Sequence, residues 1–101
     1  MSIERAIRSA VETGKVTIGQ RETLRSVKNK ETKLVIVAEN CPRDLREDLE
    51  YYAKIMKVDI YEFKGTSLEL GSVCGKPYVI SMLGIIDEGE SNIPERIRRK
   101  Q

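Results

Sequence analysis

The chain has no histidine, no tryptophan and only two cysteines. Without histidine, no Ser–His or Cys–His nucleophile can be assembled. Two thiols without an imidazole cannot close a zinc site either, so no metal is expected. In a chain read as cytoplasmic, Cys41 and Cys74 are expected to remain free thiols. No apolar run approaches the roughly 18 residues that a membrane span requires. The opening "MSIERAIRSAV" mixes charged with apolar residues, unlike a secretory signal. A phosphate-cradling P-loop is missing too, because Gly71 and Gly75 are not followed by Lys-Ser/Thr at the required spacing. These absences leave a cytoplasmic chain with no membrane role, no cofactor and no catalytic constellation.

What is present suits one domain. The 101 residues, 40% hydrophobic and 34% charged, suffice for one modest core and no more, so residues 1–101 are read as a single domain. The formal net charge is only +2, but it is unevenly spread. Between Lys15 and Lys33, six basic residues face only Glu22 and Glu31, whereas between Glu39 and Glu50 five acids outnumber Arg43 and Arg46. The tail "IPERIRRKQ" is basic again. Such polarity says more about partners than the sum does.

Periodicity predicts an alternating α-β-α-β-α-β-α-β order. Ile3, Ile7, Ala10 and Val11 give residues 2–13 one helical face, with Ser2 at its start and Gly14 after its end. "KVTI" is a short strand closed by Gly19, followed by a helix over about 20–29. "KLVIVAEN" reads as a strand buried on both faces. Asn40 is placed as the cap of the next helix, with Pro42 in its first turn. Leu45, Leu49, Tyr52, Ala53 and Met56 form that helix's core face. "DIYEF" is a third strand. "GTSLELGSVCG" is a short helix opened by a Thr66–Glu69 capping box and stopped at Gly71 or Gly75. "PYVISMLGIID" is the last strand, with Pro77 at its entrance.

In open α/β sheets, ligands gather beyond the carboxyl ends of the strands, where helix N-termini point. Two such junctions carry chemistry: "IGQRE", with Gly19, Gln20 and Arg21, and "ENCPR", with Asn40, Cys41, Pro42 and Arg43. Each offers backbone N–H groups to an anion. Gly19 permits close backbone approach, and Arg21 supplies a planar fork for phosphate or a guanine edge. Plainer readings stand beside these: a tight turn at Gly19, a helix cap at Asn40, a solvated face for Arg25, Lys28 and Lys30, and a helix-start charge at Glu22. Together the features point to RNA or a nucleotide phosphate.

Beyond these patterns, "GKVTIGQRETLRSVKNKETKLVIVAENCP", "EYYA", "ELGSVCGKPY" and "GIIDEGES" closely resemble the L-thirty-e family of archaeal and eukaryotic large-subunit ribosomal proteins. That family lies within the wider L-seven-Ae group of kink-turn RNA binders, and the likeness runs from about Ile3 to Ser91. The resemblance implies a three-layer α/β/α sandwich on a four-stranded mixed sheet, the last strand antiparallel to the others. The loop entering that strand, with Val73, Cys74, Gly75, Lys76, Pro77 and Tyr78, then joins the two junctions at one RNA-binding edge. By the same resemblance, Gly19 admits the kinked strand and Arg21 contacts guanines or phosphates. Asn40 bonds a base edge and Tyr78 stacks on a flipped-out base. Arg25, Lys28, Lys33 and Lys76 lie along the backbone. The wider group carries Asn-Glu two and three residues after the glycine and Lys six after it. Here those places hold Arg21, Glu22 and Arg25, which points to the ribosomal branch.

The implied partners are bent large-subunit rRNA and neighbouring ribosomal proteins, met by a protein that is monomeric when free. The tail 92–101 is expected to stay disordered until it meets rRNA. Two alternatives are an adaptor of a guide or processing ribonucleoprotein, and a small nucleotide-binding α/β enzyme drawing acids from Glu22, Glu39 or Asp87.

Overall fold

The computed structural model of the chain describes residues 2–91 and Ile93; the basic tail and its expected disorder lie outside the described residues. Eight elements alternate: α1 (Ile3–Thr13), β1 (Lys15–Ile18), α2 (Gln20–Lys28), β2 (Leu34–Ala38), α3 (Arg43–Met56), β3 (Asp59–Phe63), α4 (Ser67–Val73) and β4 (Met82–Asp87). Local signals explain most boundaries. Ser2 accepts a hydrogen bond from the Arg5 N–H at 3.2 Å, which caps α1. Thr66 and Glu69 exchange bonds across the first turn of α4, in the reciprocal box that their spacing predicts.

The sheet order is β1-β4-β2-β3. β2 and β3 run parallel, while β4 runs antiparallel to both β1 and β2. The mixed sheet with a reversed last strand is therefore present. Every residue of β2 is buried, as its unbroken apolar run requires. Its alternation divides the core between two layers. Leu34, Ile36 and Ala38 face α1 and α4 with Ile7, Ala10 and Leu70, whereas Val35 and Val37 face α2 and α3 with Val27 and Leu49.

Two boundaries differ from the sequence reading, and one choice it left open is decided. β4 starts at Met82, five residues after Pro77, because 77–81 runs alongside α4 instead of joining the ladder. Of the two stops read for α4, the structure takes Gly75, which follows the Cys74 C-cap at φ +76°, and passes through Gly71. That glycine lies inside the helix, where an added Cβ would come 2.0 Å from the Tyr78 carbonyl oxygen. A side chain there would push the 77–81 segment off the helix. α3 starts two residues later than expected, with Pro42 instead of Asn40 at its N-cap and no side-chain cap.

Candidate nucleic-acid interface

The carboxyl ends of β1, β2 and β3 lie at one edge of the sheet, and the antiparallel β4 begins there. The start of β4 ties the two junctions together. The Met82 carbonyl accepts from the Gly19 N–H, and the Ser81 carbonyl accepts from the Ala38 N–H, each at 3.0 Å. The Gly19 turn and the end of β2 are thus fixed to adjacent residues, Met82 at the start of β4 and Ser81 just before it.

At the first turn, Gly19 adopts φ +94° and ψ 162°, a region that residues with a Cβ almost never occupy. A Cβ added there would meet nothing within 4 Å, so backbone shape alone demands the glycine, and its outer side is open. Gly19 has no side chain to cap α2, leaving first-turn N–H groups without intrahelical partners. Arg21, Arg25 and Lys28 then follow at i, i+4 and i+7 along one helical stripe. With Gln20, Leu24, Asn29 and Leu45 they line a groove of about 420 Å³ between α2 and α3. Among the described residues, none of the three takes part in an ion pair. The Lys28 ammonium lies 4.5 Å from the centre of the Tyr52 ring, a cation–π contact that orients it.

At the second turn, the structure changes the expected role of Asn40. Its Oδ1 accepts from the Ser67 N–H at 2.7 Å, and its Nδ2 donates to the Ser67 hydroxyl at 3.4 Å. Asn40 therefore serves the first turn of α4, not α3. The side chain remains exposed, with Nδ2 donor capacity to spare. Cys41 packs half-buried against the α2–α3 layer, and burial pushes its thiol pKa up. Pro42 is exposed, and Arg43 is engaged with Glu47 at 3.0 Å.

The third segment is also anchored here. The Ile80 N–H donates to the Ser67 carbonyl at 3.0 Å, so residues 78–80 lie beside the first turns of α4. Tyr78, Val79 and Leu68 stand exposed there at 49%, 59% and 67%. Beside a polar turn, the Tyr78 ring can stack an unpaired base, with the aliphatic Val79 and Leu68 packing next to it. Leu68 and Val79 did not emerge from the sequence. Both sit in segments read as a helix and a strand that should bury their apolar residues, and only Gly71, a glycine inside a helical pattern, signals a close backbone neighbour.

Other expected site residues fall elsewhere. Lys33 precedes β2, at the opposite end of that strand, and pairs with Glu88 at 3.2 Å. Val73 is half-buried against the first core layer, and Gly75 faces the Arg8 guanidinium of α1. They and Lys76 lie at the far end of α4, whose seven residues span roughly 10 Å.

Comparison with known proteins bears on the family and the fold. The model of the ribosomal protein L7Ae/L30e/S12e/Gadd45 family matches residues 1–95. A protein named large ribosomal subunit protein eL30 from Methanocaldococcus jannaschii is 50% identical over 101 residues, covering 100% of this chain and 92% of its own. Its namesake from Methanothermobacter thermautotrophicus is 50% identical over 97 residues, covering 96% of this chain and 99% of its own. The one from Methanopyrus kandleri is 47% identical over 97 residues, covering 96% and 89%. A solved structure, described as a protein with unknown function from Bacillus halodurans C, superposes with a TM-score of 0.83 at 14% identity, covering 97% of this chain and 94% of its own. That last likeness speaks for the fold alone. The chain belongs to the ribosomal protein L7Ae/L30e/S12e/Gadd45 family.

Proposed function

We propose that this chain is a structural protein of the large ribosomal subunit in the cytoplasm, where it binds and stabilises a kink-turn-like segment of rRNA without catalysis. The name shared by its archaeal relatives supports the ribosomal part. The observation that carries the RNA part is the convergence at one sheet edge. The uncapped start of α2 with Arg21, the Asn40 amide, and the exposed Tyr78, Val79 and Leu68 share it.

The parts have separate tasks. Free N–H groups at α2 and the guanidinium of Arg21 meet phosphate or a guanine edge. Arg25 and Lys28 continue along the groove and hold the backbone, which positions RNA without reading it. Asn40, whose Oδ1 is engaged with Ser67, presents its Nδ2 to a base. Tyr78 and its apolar neighbours cover a base that the kink has unstacked. A straight duplex offers neither unstacked bases nor a kinked strand, so shape selects the partner. Free of RNA, the protein is taken to be a monomer.

Titration against a kinked RNA and a straight duplex of equal length, each at two salt concentrations, tests the reading. The kinked RNA is expected to bind about tenfold or more tightly, a gap of about 1.4 kcal/mol. Arg21→Ala should weaken binding and lower the salt slope by about one. Equal affinities that collapse together as salt rises would leave only counterion release.

A further inference from the structure

Outside the RNA-facing edge, the outer surface of α3 carries a stripe that the proposed function leaves idle. Asp44, Asp48, Tyr51 and Ile55 recur at i, i+4, i+7 and i+11, so they share one side of the helix. Tyr51 and Ile55 are 63% and 56% exposed. Of the charges around its acidic half, Arg43 holds Glu47, and Arg46 holds both Glu50 and Glu62, while Lys54 beside Ile55 is in none of the ion pairs among the described residues. Among the described residues, Asp44 and Asp48 have no ion-pair partner. The stripe is thus uncompensated acid followed by apolar surface, over about 16 Å of helix. Tyr51 is also held in place, its ring edge-on to Tyr52 with centroids 5.1 Å apart. A ring already oriented loses little entropy on docking.

We propose that this stripe docks a basic segment of a neighbouring protein in the assembled subunit. Lysine or arginine side chains of that segment meet Asp44 and Asp48, and an adjacent apolar side chain seats on Tyr51 and Ile55. The inference rests on the ribosomal reading above. Charge complementarity chooses the partner. Two unpaired carboxylates repel a phosphate backbone and attract a cationic peptide. Ile55 offers an aliphatic contact without a hydrogen-bonding group, which suits a protein side chain better than a base. Exposed apolar surface beside uncompensated charge is the pattern of a docking site.

Ile55 replaced by p-benzoylphenylalanine, in the full chain assembled into large ribosomal subunits, tests the proposal by photo-crosslinking. The expected adduct is protease-sensitive, resists nuclease and maps to a Lys/Arg-rich segment of another protein. Adding Asp44→Lys and Asp48→Lys should lower its yield about tenfold while the amount of chain in the subunit peak stays the same. An adduct with rRNA, an adduct with a second copy of this chain, or no adduct from subunits that contain the chain would overturn the docking surface alone. So would a yield untouched by the charge reversals. A chain missing from the subunit peak would overturn the ribosomal reading, and the docking surface with it.

Discussion

The starts of α2 and α4 are built in opposite ways. At α4, Thr66 accepts from the Glu69 N–H, Glu69 returns the bond to Thr66, and Asn40 takes the Ser67 N–H. Its first turn is closed by the protein itself. At α2, Gly19 has no side chain, and the open first turn is followed by cations. Both starts face the same edge. On the proposed reading, the difference separates a helix end that builds the site from one left open for RNA, because N–H groups already bonded within the fold have little left for a ligand.

Adding one methyl group at each of two glycines separates these roles most sharply. Gly71→Ala brings a Cβ against the Tyr78 backbone, where neither side can yield cheaply, and should cost about 3 kcal/mol in thermal or denaturant unfolding. Gly19→Ala meets open space, so its cost is the strained backbone alone, about 1–2 kcal/mol. Its effect on kinked-RNA affinity should nevertheless exceed that of Gly71→Ala once binding is compared among folded molecules.

Asn40 discriminates next, because it closes the first turn of α4 and is also proposed to meet a base. Asn40→Ala removes the acceptor for the Ser67 N–H and should lower stability by about 1 kcal/mol as well as weaken RNA binding. Asn40→Asp keeps an acceptor at a helix N-terminus, where negative charge is favourable, but removes the amide donor. Its unfolding should match wild type while its RNA affinity falls. Equal stability losses in both variants, with RNA binding intact, would reduce Asn40 to a cap.

The smallest effect concerns the far end of α4. Burial pushes the Cys74 thiol from its ordinary 9.0 up to about 11, with Lys76 and Arg8 offsetting part of the shift. A pKa raised in the folded state gives stability that is complete below pH 9.0 and lost as pH rises toward about 11. Cys74→Ala should therefore flatten the alkaline fall in stability without altering the proposed RNA-binding edge. In thiol titration at pH 8, half-buried Cys41 should react before Cys74.

Local chemistry made much of this legible from sequence. The β-branched run of β2, the Ser2 cap and the Thr66–Glu69 box depend on residues a few positions apart, and the structure keeps them all. Asn40 was misplaced because its partner is Ser67, and no local pattern carries a bond across 27 residues. The same holds for the late start of β4. "PYVIS" has strand-like composition, yet tertiary packing on Gly71 decides its path, overriding propensity. Of the basic residues, Arg21 and Arg25 reach the groove because they follow the Gly19 turn. Lys33 does not, since it precedes β2 and the length of that strand separates it from the edge, and it pairs with Glu88 instead.

The central claim is a location, and backbone amide NMR on the full chain with a short kinked RNA measures it directly. The largest shifts should fall on Gly19 to Glu22, on Asn40 and its side-chain amide, and on Tyr78 to Ser81, with α1 and Lys33 nearly still. Shifts centred instead on Lys15, Lys30 and Lys33, at the opposite end of the sheet, would contradict it.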